Sequence, residues 1–157
     1  MKNLNWKQIA LGVLADIGST IFFVVVLFIG FLAREAMAGR PAESLNEKIF
    51  ETTPMLILVL VLGLAGLLLG AYVAAARSDS QHSAVVHACV TAVISTAILS
   101  SIYLVEPNTE PFWYNALSYG LISPTAIFGG FWRWRNLQRR NRVLDSPTTP
   151  IPPIPNS

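Results

Sequence analysis

The sequence predicts an all-α polytopic membrane protein, an antiparallel four-transmembrane-helix bundle with cytoplasmic N- and C-termini. Three observations carry that expectation. The 157 residues are 53% hydrophobic and only 13% charged, with a mean hydropathy of +0.52, where an average soluble domain is about one quarter charged. The 11 Lys and Arg and the 9 Asp and Glu gather in short segments. Between them lie four apolar stretches of roughly 20 residues, the length a helix needs to cross a hydrocarbon core of about 30 Å. A disordered charged tail protein is excluded, and a water-soluble enzyme is not what this composition describes.

The first stretch covers residues 9–33, behind a cytoplasmic flank, residues 1–8, that carries Lys2, Trp6 and Lys7. Ala36-Met37-Ala38 has the small-x-small form of a signal-peptidase site, but signal h-regions span about 7 to 15 residues. A run of about 25 residues reads instead as a retained membrane helix. In the loop that follows, Pro41 is suited to open a short surface helix over residues 41–51. Leu45, Ile49 and Phe50 would lie on the membrane, with Glu43, Glu47 and Glu51 as the solvated face.

The second, third and fourth stretches cover residues 54–76, 84–105 and 112–132, so residues 9–132 form the transmembrane domain. The short links at 77–83 and 106–111 force neighbouring helices to run antiparallel. Residues 133–157 follow as a basic and then Pro-rich tail, with Pro147, Pro150, Pro152, Pro153 and Pro155 favouring an extended, disordered end.

Orientation follows from Lys and Arg, which are retained near cytoplasmic membrane ends. Eight lie on one side (Lys2, Lys7, Arg77, Arg133, Arg135, Arg139, Arg140 and Arg142) and three on the other (Arg34, Arg40 and Lys48). Trp6, Trp132 and Trp134 mark one interface, and Tyr103, Trp113 and Tyr114 the other. This is the pattern of a multi-pass protein of a bacterial inner membrane. Each arginine near an anionic leaflet contributes about 1 kcal/mol, so Arg133, Arg135, Arg139, Arg140 and Arg142 are expected to meet anionic lipids, with no need of nucleic acid.

Lipid removes the hydrophobic incentive for apolar helices to associate, so close approach of small residues must hold them together. The third helix has such a ridge in Ala84, Ala88, Ala92, Thr96 and Ser100. The second has Gly63, Gly66, Gly70 and Ala74. Docking of these two ridges is the expected contact, and the Gly66/Gly70 GxxxG pair also admits a homo-oligomer. In the fourth helix Pro124 removes the hydrogen bond to Gly120, where a kink is expected.

Asp16 is the most informative residue, since a carboxylate in the hydrocarbon zone costs at least about 2.5 kcal/mol and must face the bundle. Gly12, Asp16, Ser19 and Thr20 share one helix face. His87, Thr91 and Ser95 form a facing ridge on the third helix. An Asp16–His87 contact, direct or through one water, would suit a proton relay. Arg77 is a second partner for Asp16, and hydrogen bonding of Asp16 to Ser or Thr hydroxyls as helix glue is the structural alternative.

Catalytic constellations are absent from the sequence. A single Cys89 excludes an internal disulfide and a thiolate zinc cluster. There is neither a phosphate-binding Gly-rich loop nor a His-Glu-x-x-His. His82 and His87 are too few for a metal site and do not share a helix face. No enzyme activity, cofactor or metal is expected.

The segment Gly70-Ala71-Tyr72-Val73-Ala74-Ala75-Ala76-Arg77, with His87-Ala88 beyond it, resembles a pattern of small uncharacterised bacterial four-helix integral membrane proteins, Gly-Gly-Tyr-x-Ala-x-Arg and then His-Gly. The likeness covers the second and third helices and departs from the pattern at Ala71 and Ala88. It implies architecture and no mechanism. The expected function is structural, accessory or partner-binding, with a small oligomeric transporter or proton-coupled channel using Asp16 and His87 as the alternative.

Overall fold

The computed structural model describes residues 4–39, 53–103 and 110–144. The surface helix expected at 41–51 and the Pro-rich segment from Pro147 onward lie outside these residues. The described residues form one bundle of four helices without strands: α1 Trp6–Met37, α2 Thr53–Ala74, α3 Gln81–Tyr103 and α4 Phe112–Leu144.

Helix α1 starts where Asn5 caps it, the Asn5 side chain accepting from the Gln8 amide at 3.4 Å. It stops at Gly39, whose φ of +67° is open to glycine and strained for other residues. The Gly39 amide closes the end onto the Ala36 carbonyl at 3.1 Å. Helix α4 runs beyond the expected end at residue 132, through the basic segment, to Leu144. Residues 133–144 hold Arg, Gln and Leu, good helix formers, and no Gly or Pro to stop them. Pro124 is accommodated within the continuous helix.

Three of these helices, α1, α2 and residues Gln81–Ser101 of α3, are long and apolar enough to cross a membrane. Residues 112–132 of α4, expected from the sequence to be a fourth span, do not reach that standard. Asn115, Ser118 and Pro124, with Trp and Tyr side chains, dilute its apolar residues. The distribution of side chains is that of a membrane-embedded bundle all the same. Leu14, Ile21, Phe22, Ile29, Val61 and Val93 are exposed, while Ala71, Ala74, Ala84 and Ala88 are fully buried beside Asp16, His87, Thr91 and Ser95. Small and polar residues inside with large apolar ones outside fit a hydrocarbon solvent, where packing and polar contacts hold helices together.

The glycine ridge of α2 does not dock on the alanine ridge of α3, as expected from the sequence. It faces α1. A Cβ on Gly70 would lie 2.5 Å from Asp16 Cβ and 2.7 Å from the Gly12 carbonyl, and one on Gly66 would collide with the Thr20 hydroxyl. Gly12 completes the seam, its Cβ position lying 2.7 Å from Ala74 Cβ and 2.8 Å from the Gly70 carbonyl. The Ala84 and Ala88 end of α3 instead meets Gly130 of α4, where an added Cβ would lie 2.9 Å from the Ala84 carbonyl and 3.0 Å from Ala88 Cβ, while one on the neighbouring Gly129 would lie 2.8 Å from Ala71 Cβ. Ala92 packs with Leu67, Ala126 and Ile122. The physical reason is reciprocity, because a glycine groove admits whichever backbone carries small residues in register, and Gly12 and Gly130 supply them. The Gly66/Gly70 pair is thereby used within the chain.

Candidate functional site

Among the described residues the four helices enclose a cavity of about 230 Å³. Asp16, Thr20 and Ser95 form its floor, and Val24, Leu60, Leu67 and Leu99 are among its apolar walls. Glu110, Asn115 and Ser118 line the other end, where α4 begins. Between Tyr114 and Ile122, both on the lining, the helical rise measures out about 12 Å.

Asp16 is 3% exposed. Its carboxyl is flanked by the hydroxyls of Ser95 and Thr20. Ser95, 1% exposed, makes no hydrogen bond of full geometry, and neither does the buried Ser118 hydroxyl. The Ser19 hydroxyl turns back onto its own helix, donating to the Ala15 carbonyl at 2.6 Å and the Asp16 carbonyl at 3.0 Å. Of the polar residues singled out in the sequence, Asp16, Thr20 and Ser95 thus meet in one place. Thr91 lies below them, its methyl carbon 3.1 Å from the Cβ position of Gly12 and its hydroxyl buried without a partner.

His87 does not pair with Asp16. Its Nε2 accepts from the Asn5 backbone amide at 2.9 Å, which puts the ring proton on Nδ1, and Nδ1 donates to the Ser83 carbonyl at 2.7 Å. Both nitrogens are committed, and Ser95 lies two turns, about 12 Å, further along α3. The physical reason is register: α1 is fixed against α3 at Asn5, eleven residues before Asp16, so Asp16 rises well above the imidazole. Arg77, the other partner considered for Asp16, is exposed in the turn after α2.

His87 is therefore a clamp for the start of α1. His87→Ala is expected to cost about 1–3 kcal/mol, since it strips a part-buried amide of its acceptor. Hydrogen exchange should speed up at the first turn of α1 and leave the Asp16 level unchanged. Equal protection of that turn in variant and wild type would remove the clamp role.

Several cavity residues escaped the sequence reading. Glu110, in the short link before α4, lines the cavity, and burial pushes its carboxyl above the ordinary value of 4.5. Asn115, Ser118 and Ile122 recur at i, i+3 and i+7, an inward face readable in principle. At the far end of α4, Arg133 lies over the Tyr72 ring at 4.9 Å and donates to its hydroxyl at 3.1 Å. Arg135, Arg139 and Arg140 are exposed on the same helix.

No protein-family model, curated protein or solved structure matches the chain. Its function has to be read from the bundle.

Proposed function

We propose that this chain is a non-catalytic multi-pass protein of a bacterial inner membrane, an up-down four-helix bundle that acts as a binding component and receives a small molecule in its cavity. In this reading α4 crosses by packing its less apolar length against α2 and α3, so that both termini are cytoplasmic. The single observation that carries the reading is the blind end of the cavity at Asp16. Below that level the helices meet at Gly12, Gly70 and Ala74 on one side and at Gly130, Ala84 and Ala88 on the other, at backbone distance. A pocket closed at one end by glycine and alanine seams supports retention of a ligand over passage through the bundle. The exposed Arg135, Arg139 and Arg140 support docking of the α4 extension on anionic lipid.

Transport is the competing function, and accessibility separates the two. Gly63 lines the cavity and nothing lies within 4 Å of its Cβ position. In a Cys89→Ala background, Gly63→Cys is expected to react with a small membrane-impermeant thiol reagent from one face of a proteoliposome only. Reaction from both faces would replace binding by transport, and no reaction from either face would show the cavity to be sealed and overturn the reading.

A further inference from the structure

The chemistry of the cavity narrows its ligand. Among the described residues its lining includes two carboxyl groups, Asp16 and Glu110, and no Lys, Arg or His. An anion would be repelled at Asp16, and a neutral ligand would leave an intramembrane carboxylate uncompensated. The Ser95 hydroxyl, 1% exposed and making no hydrogen bond of full geometry, lies beside the Asp16 carboxyl on the same floor and offers an acceptor there. An ammonium group carries three donors and no acceptor, which suits a floor of Asp16, Ser95 and Thr20.

The walls decide between a bare ion and an organic one. Val24, Leu60, Leu67 and Leu99 give a metal ion nothing to bind, and among the described residues no three His, Cys, Asp or Glu come together to hold one. They do suit an apolar body. A cavity of about 150 Å³ accepts benzene, so 230 Å³ has room for a phenyl ring with a short amine-bearing chain.

We propose that the cavity binds a compact organic cation, a primary ammonium on an apolar body, with its charge seated between Asp16 and Ser95 and its body between α1, α2 and α3. The proposal rests on the binding function above and adds the ligand class. Entry is from the Glu110 end, opposite the glycine and alanine seams that close the bundle below Asp16.

The test uses the full chain in nanodiscs of zwitterionic lipid and radiolabelled 2-phenylethylammonium in equilibrium dialysis, with empty nanodiscs as the blank. Wild type is expected to show saturable uptake above the blank. Asp16→Asn should weaken it tenfold or more, and Gly63→Leu, which grows a side chain into the cavity from a position free of contacts, should abolish it. Uncharged 2-phenylethanol should compete at least tenfold more weakly. If 2-phenylethanol competes equally, or Asp16→Asn binds as wild type does, while Gly63→Leu still abolishes uptake, the cation class is overturned and the binding cavity stands. If no saturable uptake of either compound occurs, both are overturned. Thermal melting of each variant shows whether it is folded, and Gly63→Leu and the neutral competitor decide the matter even if Asp16→Asn does not fold.

Discussion

Gly70→Leu is expected to prise α1 from α2 and to cost about 3 kcal/mol or more, at the upper end of what overpacking causes. Its Cβ would stand 2.5 Å from Asp16 Cβ and 2.7 Å from the Gly12 carbonyl oxygen. Neither neighbour yields cheaply, since one is a backbone atom and the other is the first carbon of a side chain whose carboxyl belongs to the cavity floor. Separating the helices there also exposes Asp16 to lipid, which adds the expense of an unpaired polar group in hydrocarbon. The measurement is the unfolding midpoint in detergent, with Gly63→Leu as the comparison on the same helix. Gly63 has open space at its Cβ position, and a leucine there should change stability by well under about 1 kcal/mol, glycine being the poorer helix former. Equal losses at the two positions would mean that the α1–α2 seam does not hold the bundle together.

Gly130→Leu should be nearly as damaging, by about 2–3 kcal/mol, and in a different place. The new Cβ would lie 2.9 Å from the Ala84 carbonyl oxygen, 3.0 Å from Ala88 Cβ and 3.1 Å from Val85 Cα, so it presses on the backbone of α3. The expected signature is regional. Amide exchange should quicken in α3 and in the second half of α4, and the contact of Arg133 with Tyr72 one turn further on should loosen, while the α1–α2 seam stays protected. Gly120→Leu, at a position with nothing within 4 Å, is the control on the same helix. Uniform quickening over all four helices would show that the bundle opens as one unit and that α3–α4 docking is not a separate contact.

These two glycines illustrate where sequence reasoning reaches and where it stops. Ala126 and Gly130 are themselves a small-xxx-small pair, so the signal for α4 docking was present in the chain. It lost out to the longer ridges of α2 and α3, which looked complementary to each other. Small-residue spacing identifies a surface that permits close approach, and it carries no label for the partner. The same limit governed His87. Its residue type and its place near one end of α3 marked it as a buried polar group, but its partner, the Asn5 amide, is a backbone donor that no side-chain pattern reveals. Glu110 shows the converse, a residue in a short turn that joins the cavity only because α4 begins beside it.

The sequence by itself determined the helical class, the apolar stretches and the burial of Asp16, because helix periodicity and the expense of charge in hydrocarbon act on local segments wherever they end up. It also marked Thr20 and Ser95 as facing the interior, for the same reason. Only the tertiary structure decided which ridge meets which, how far α1 slides along α3, and that a cavity opens above Asp16 while glycine seams close the bundle below it. Those are matters of register between elements distant in the chain, and register is set by steric contact between backbones that a single sequence does not order in space.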